Sequence, residues 1–195
     1  MDKAKAKKIP GFIRPMLCKK VAKLPTGSEW VYEVKRGGKR TIAVKDGRCV
    51  KLFGEDGRRL DCPSIEETLR RVPFERAVID GEIISLDADS KPGANKTKQD
   101  ATLQLFAWDL LHLNGHDLTT EPVERRKRRL CTLTMDSNVL FSPSLECEPE
   151  QLLEEVGRLS LEGVVAKRKG STYESGKCTG SWITLRVEPL PQDQA

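Results

Sequence analysis

Apolar residues along this chain occur in short runs that polar turns separate, a pattern typical of alternating strands and short helices. Six of these runs predict strands, at 30–35, 40–53, 77–86, 103–113, 163–168 and 182–187. The dipeptide Asp46-Gly47 predicts a tight hairpin turn within the second run, and Asn114-Gly115 predicts the turn that ends the fourth.

Three further segments have the pattern of helices, at 64–71, 122–130 and 149–159. Ser64, followed by Glu67, forms a capping-box sequence at the start of the first helix. Pro122 stands at a suitable first position for the second, because the first turn of a helix leaves its N–H groups unbonded. Strands and helices that alternate in this way predict an α+β fold, with mostly antiparallel sheets and helices packed on them.

The chain divides into one predicted domain and two tails. Residues 1–8 are rich in lysine and predict a disordered basic tail, and residues 189–195 predict a polar C-terminal tail. Residues 9–188 form the predicted domain. Within it, the polar segment 88–100 predicts a mobile surface loop.

Size and charge narrow the classes of function. The 195 residues carry a net charge of +5, and basic residues cluster near the N-terminus and at 125–129. This balance permits a nucleic-acid partner without requiring one. No apolar run approaches the length of a membrane span and no secretory signal is visible, so we expect a cytoplasmic protein.

Cysteines and histidines do not indicate a metal site. The six cysteines are scattered without a CxxC pair, which favours reduced thiols over a zinc site or a disulfide framework. His112 and His116 have HxxxH spacing, but the turn signal Asn114-Gly115 between them would break the helix that such a site needs. We therefore predict that both histidines lie on the surface.

The segment Glu33-Val34-Lys35-Arg36-Gly37-Gly38-Lys39-Arg40 places a lysine between a predicted strand and a glycine turn crowded with cations. A lysine can attack an electrophile only as the free amine, and like charges nearby favour that form. The glycines allow the backbone to approach a phosphate closely. Taken alone, the same residues favour a solvated basic hairpin over a nucleophile, and only the motifs further along the chain reverse this preference.

Acidic residues lie within or beside two other predicted strands. Asp80 and Glu82 interrupt an apolar run, and Glu162 directly precedes another that ends in Lys167. A buried carboxylate needs a partner, which is either a nearby Lys or Arg or a divalent cation that also binds phosphate. Trp108, in a third apolar run, either stacks on a base or belongs to the core.

Taken in order, these motifs resemble the adenylation domain of ATP-dependent DNA ligases, in the covalent nucleotidyltransferase superfamily, and are most similar to bacterial end-joining ligases. The resemblance extends from about residue 12 to residue 187. Four stretches carry it, at 33–40, 78–83, 108–126 and 161–182. It implies an ATP-grasp-like nucleotidyltransferase fold.

The resemblance implies roles around the nucleotide for four residues. Lys35 would attack the α-phosphate of ATP, release pyrophosphate and carry AMP. Arg40 would contact the ribose-phosphate side of the nucleotide. The segment around Glu33 would face the adenine, and Trp108 stands where the family usually has a stacking phenylalanine.

The resemblance also implies roles around the phosphates. Glu82 and Glu162 would organise Mg²⁺ or Mn²⁺ and contacts to the sugar. Lys167 and Arg186 would hold phosphate oxygens as charge develops in the reaction. The implied substrate is DNA with nicked or broken ends.

The sequence also departs from the family. The family pattern Lys-x-Asp-Gly has Gly37 in place of the aspartate, Glu55 stands near the place of an arginine, and Thr184 replaces a lysine. The resemblance also stops where ligases continue into an OB-fold, so a separate OB-fold or end-joining protein is an expected partner. Two functions therefore stay open: an adenylating enzyme of DNA strand joining and repair, or a non-catalytic homologue that binds ATP, DNA or a repair protein.

Overall fold

The computed structural model describes residues 9–86 and 102–187, so the two predicted tails and the predicted loop 88–100 lie outside the described residues. In this part of the chain no helix is long and apolar enough to span a membrane. The helices are α1 Pro63–Arg71, α2 Val123–Thr134 and α3 Pro149–Arg158. The strands are β1 Lys19–Lys20, β2 Trp30–Lys35, β3 Lys39–Asp46, β4 Cys49–Gly54, β5 Arg59–Leu60, β6 Arg76–Leu86, β7 Thr102–Leu113, β8 His116–Asp117, β9 Leu140–Phe141, β10 Gly163–Arg168 and β11 Trp182–Arg186.

The strands form two sheets, and most of their pairs are antiparallel. The smaller sheet has the order β1-β11-β10-β2, and the larger has the order β5-β4-β3-β6-β7-β8 with β9 paired to β7. The pairs β1–β11 and β7–β9 are parallel. The predicted α+β fold with mostly antiparallel sheets flanked by helices is confirmed.

Three apolar clusters hold the layers together. Helices α1 and α2 cover one face of the larger sheet, where Leu69 and Leu130 join its core. Helix α3 packs on the smaller sheet through Val156. A third cluster lies between the sheets and includes Ile42 of β3 and Trp182 of β11, so the two sheets share buried contacts.

The predicted helices and turns are present, with shifted ends. The hairpin turn at Asp46-Gly47 lies between β3 and β4 as predicted. The capping-box prediction for Ser64 is wrong, because α1 begins at Pro63 with Cys62 as its N-cap residue and no side-chain cap. Proline fixes a backbone angle that suits the first helical turn, which explains the earlier start.

The surface prediction is wrong for His112. Its side chain is 4% exposed, because β7 is paired on both sides at this point, with β6 and with β8. Burial lowers its pKa. His116 is exposed, as predicted.

Candidate active site

A cavity of about 570 Å³ lies between the two sheets, and strands of both sheets line it. All of the site residues predicted from the sequence except Lys167 line this cavity: Glu33, Lys35, Arg40, Glu82, Trp108, Glu162 and Arg186. The three residues that depart from the family pattern line it too: Gly37, Glu55 and Thr184. The tertiary structure thus brings these residues, from five strands and their connections, to one place.

Strand pairing in the smaller sheet places Lys35 beside Glu162. Lys35 ends β2 and lies opposite Gly163 on β10, and the backbone N–H of Glu162 donates to the Lys35 carbonyl at 3.0 Å. Gly163 has a φ of 152°, and a Cβ atom there would lie 2.1 Å from the carbonyl oxygen of Leu185. Only glycine therefore fits at this position of β10, which pairs with β2 on one side and with β11 on the other.

Glu162 is the charged partner of the candidate nucleophile. Its Oε1 atom lies 2.5 Å from Nζ of Lys35 and 2.6 Å from Nη2 of Arg186. The sequence had predicted that Arg36, Lys39 and Arg40 would form the charged surroundings of Lys35. The structure adds an acid that this prediction did not include, and it shows other contacts for two of the cations: the Arg36 guanidinium lies over the Phe106 ring at 4.6 Å, and Arg40 forms an ion pair with Asp80.

The turn after Lys35 is built around two carboxylates. Gly37 has a φ of 85°, and a Cβ atom there would lie 2.9 Å from Oε2 of Glu162, so the Glu162 carboxylate occupies the space next to this position. The N–H of Gly38 donates to Oε2 of Glu82 at 2.8 Å. Burial raises the pKa of Glu82, although the Gly38 hydrogen bond and the Lys35 charge oppose this shift.

Arg40 is fixed by a buried acid. Its Nε and Nη2 atoms donate to the two carboxylate oxygens of Asp80 at 3.2 and 2.8 Å. The hydroxyl of Tyr173 donates to Asp80 at 2.7 Å and accepts from the Met16 N–H at 3.0 Å. Asp80 thus follows the ion-pair alternative left open by the sequence, and it orients a cation that lines the cavity.

Glu33 lies 3% exposed at the inner wall, held by two lysines. Its Oε1 atom lies 2.8 Å from Nζ of Lys127, and its Oε2 atom accepts from Lys167 at 3.0 Å and from the hydroxyl of Ser142 at 3.2 Å. Lys167 is buried behind this wall, with its ammonium 4.1 Å from the centroid of the Trp182 ring. Lys167 itself does not line the cavity, whereas its contacts Glu33 and Trp182 do.

Sequence reasoning missed Lys127 and Ser142. Lys127 belongs to the basic run 125–129, which the sequence indicated only as a cluster of charge, but Lys127 is 5% exposed. Its ammonium also donates to the carbonyl oxygens of Trp108 and Ser142. Burial lowers the pKa of Lys127 to about 8. The only sequence signal was its place on the amphipathic α2, where residues three and four apart face the same side.

Trp108 lies half-buried on the wall that the larger sheet contributes. The Arg40 guanidinium lies 5.6 Å from its ring centroid. Its indole nitrogen is buried and has no hydrogen-bond partner among the described residues. An aromatic face at the edge of a polar cavity is suited to stacking on a planar ligand.

The two carboxylates predicted for a metal, Glu82 and Glu162, line the same cavity. Within residues 9–86 and 102–187 no group of three or more His, Cys, Asp or Glu side chains could hold a metal ion. Mg²⁺ commonly binds through one or two carboxylates and takes its other ligands from substrate phosphates and water. The carboxylates of Glu82 and Glu162 therefore fit a metal ion that takes its other ligands from the phosphates of a bound nucleotide. They do not fit a metal site built from protein ligands alone.

Two mostly antiparallel sheets enclose a cavity in which a lysine at a strand end lies with acids, cations and an aromatic ring. This arrangement defines a nucleotidyltransferase domain of the kind found in DNA ligases. The sequence model of the family described as ATP dependent DNA ligase domain matches residues 15–185. The chain therefore belongs to the ATP-dependent DNA ligase domain family.

Known proteins agree with this assignment. The multifunctional non-homologous end joining protein LigD of Pseudomonas aeruginosa is 33% identical over 92% of this chain and 22% of its own length. The ligase domain of M. tuberculosis LigD superimposes with a TM-score of 0.75 at 25% identity, covering 89% of this chain and 59% of that one. A mycobacterial DNA ligase D complexed with ATP and MES gives a TM-score of 0.70 at 26% identity, covering 86% of this chain and 59% of that one. The chain spans about a fifth of the length of the curated LigD relatives it matches.

Proposed function

We propose that this domain adenylates itself on Lys35 with ATP as the donor, the first chemical step of ATP-dependent strand joining. The observation that carries the proposal is the position of Nζ of Lys35, at the end of β2 and facing a cavity of about 570 Å³ that also holds Arg40, Arg186 and Trp108. A cavity of this volume is in the range of small-molecule sites.

The residues around the cavity suit the parts of a nucleotide. The exposed face of Trp108 is available to stack on a base, and Arg40, fixed by Asp80, presents a cation to the ribose-phosphate side. Arg186 stands next to Lys35 through their shared contact with Glu162. The structural relative complexed with ATP supports the choice of nucleotide.

In the proposed step the lone pair of Nζ of Lys35 forms a bond to the α-phosphorus of ATP, and the bond from that phosphorus to pyrophosphate breaks. The bonding electrons leave with pyrophosphate. The Lys35 ammonium must first lose a proton, and Oε1 of Glu162, at 2.5 Å, is positioned to accept it. A second proton passes to solvent as the phosphoramidate forms. Arg40 and Arg186 stabilise the charge that develops on the phosphate oxygens.

A divalent metal such as Mg²⁺ or Mn²⁺, when bound with ATP, would neutralise phosphate charge. Glu82 and Glu162 are the residues that would hold it, because both carboxylates line the cavity. Glu162 would then have to divide its oxygens between the metal and the ion pairs with Lys35 and Arg186.

We further propose that the AMP carried by Lys35 passes to the 5′-phosphate of a nicked or broken DNA end in the cytoplasm, as part of end-joining repair. The LigD relatives named for non-homologous end joining support this substrate. We expect a DNA-clamping module, such as an OB-fold or an end-joining protein, to act with this domain.

The experiment is incubation of the purified protein with α-labelled ATP and Mg²⁺ or Mn²⁺, followed by detection of acid-stable label on the polypeptide. We expect label on the wild type and none on Lys35→Ala. Lys39→Ala is the matched control, because Lys39 follows the same glycine turn without lining this cavity; it should keep the label.

Absence of label with either metal would contradict the proposal. The alternative function, a non-catalytic module, would then be supported if equilibrium dialysis still showed ATP binding. The close contact of Glu162 with both Lys35 and the space beside Gly37 is the structural feature that favours this alternative. Label that is not passed to a nicked duplex would place the missing function in a separate DNA-binding module.

A further inference from the structure

We infer that Lys20 is a phosphate-binding residue of the cavity, which supplies a cation from outside the predicted motifs. The inference rests on the proposed binding of ATP. Lys20 lies on β1, a two-residue strand at the edge of the smaller sheet, and its side chain lines the cavity together with Thr184 and Arg186.

Strand register places Lys20 beside Thr184. Strands β1 and β11 are parallel, Lys20 is the direct partner of Thr184, and the N–H of Val21 donates to the Thr184 carbonyl at 3.1 Å. Directly paired residues of neighbouring strands project from the same face of a sheet. Lys19 is the partner of Ile183, and its side chain projects from the other face.

The charges around the cavity distinguish Lys20 from the other cations. Lys35 and Arg186 form ion pairs with Glu162, and Arg40 forms one with Asp80. No carboxylate of the described residues lies within 4.0 Å of the Lys20 ammonium, although it lines the same cavity. Lys20 is therefore the lining cation, among the described residues, whose charge can be given to a ligand without breaking an existing pair.

Thr184 cannot supply that charge. It stands where the resemblance to ligases expects a lysine, and its hydroxyl donates to the carbonyl oxygen of Val164 at 3.2 Å. Strand β1, which carries Lys20, lies about 4.8 Å from β11, which carries Thr184. A lysine side chain is long and flexible, so the Lys20 ammonium can reach a phosphate that passes over Thr184.

The triphosphate of ATP is the ligand we assign to Lys20. The cavity holds the candidate nucleophile Lys35, and the phosphates of a nucleotide positioned for attack must lie along the same wall. An ammonium on an exposed edge strand is a strong point-charge ligand for phosphate oxygens.

The test is equilibrium dialysis of labelled ATP and labelled adenosine against the wild type, Lys20→Ala, Lys20→Arg and Lys19→Ala, with EDTA present so that no transfer occurs. We expect Lys20→Ala to weaken ATP binding about fivefold and to leave adenosine binding unchanged, as for a charge-assisted phosphate contact. Lys20→Arg and Lys19→Ala should bind ATP as the wild type does. Lys20 is exposed, so replacement should not unfold the protein, and a thermal melt verifies this.

The outcomes separate this inference from the proposed function. If the wild type binds ATP and Lys20→Ala binds it equally well, the inference is overturned and the proposed function stands. The inference also fails if Lys20→Ala weakens adenosine as much as ATP, or if only binding of a 5′-phosphorylated nicked duplex falls. If the wild type does not bind ATP at all, both are overturned.

Discussion

Lys35 and Glu162 form an ion pair with 2.5 Å between Nζ and Oε1. The two residues are far apart in the sequence, and the pairing of β2 with β10 brings them together. This pair holds the candidate nucleophile in place, but it also sets a requirement for catalysis, because Nζ must leave the carboxylate to reach a phosphorus atom. Features that disturb Glu162 should therefore affect both stability and adenylation.

Gly37→Asp, which restores the residue of the family pattern, should not improve this protein. The positive φ at Gly37 disfavours any side chain by about 1–2 kcal/mol, and a Cβ atom there forces the Glu162 carboxylate to move. The added carboxylate would also repel Glu162. We expect a loss of roughly 1–3 kcal/mol in urea denaturation and lower labelling with α-labelled ATP.

Gly37→Ala is the matched control, since it introduces the strain without the charge. We expect Gly37→Ala to have a stability similar to that of Gly37→Asp and to lose less labelling than Gly37→Asp does. Higher labelling of Gly37→Asp than of the wild type would show that an aspartate here helps catalysis, contrary to this prediction.

The buried ion pair of Asp80 with Arg40 should matter more for stability than the hydrogen bond from Tyr173. Asp80→Asn leaves a largely buried guanidinium without its carboxylate and should cost about 3–5 kcal/mol. Tyr173→Phe removes a hydroxyl that bridges Asp80 and Met16 and should cost about 1–3 kcal/mol. Urea denaturation of both variants measures the difference, and equal losses would contradict the ranking.

Lys127 should make the stability of the protein depend on pH in mildly alkaline solution. Burial lowers its pKa to about 8 from a usual value of 10.5. Between these values the unfolded chain binds more protons than the folded chain, so the free energy of unfolding should rise with pH across this window. The contribution has a slope of at most about 1.4 kcal/mol per pH unit.

Comparison of the wild type with Lys127→Met isolates this contribution. From about pH 7.5 to about pH 9.5 the wild type should gain about 1–2 kcal/mol more than the variant in urea denaturation. The variant keeps a one-to-one pair of Glu33 with Lys167, so it should still fold. The same pH dependence in both proteins would mean that Lys127 does not titrate in this range.

Trp108 should strengthen the binding of ATP. Trp108→Ala should weaken ATP binding by about threefold to tenfold in equilibrium dialysis, since a stacked aromatic pair contributes on the order of 1 kcal/mol. Trp108→Phe should bind nearly as well, because the indole N–H has no partner among the described residues that its loss would disturb. Weak binding by the phenylalanine variant would show that the indole N–H contacts the ligand.

The sequence by itself determined the fold class and the segments from which the cavity is built. Periodicity predicted the principal strands and the three helices, and motif order carried the resemblance to DNA ligases. Lys35, Glu82 and Glu162 could be singled out because a lysine beside a glycine turn and acids in or beside apolar strands are unusual locally. Short strands such as β1 and β9 have no periodic signal and were not predicted.

Only the tertiary structure decided which charge meets which. The sequence placed cations next to Lys35, but the pairing of β2 with β10 placed Glu162 beside it. Strand β10 and helix α2 contribute Lys167 and Lys127 to Glu33. The pairing of β1 with β11 placed Lys20 beside Thr184. Local patterns record which face of an element is buried, whereas the partner of a buried charge depends on strand order and register between distant segments, and these are set by the packing of the whole domain.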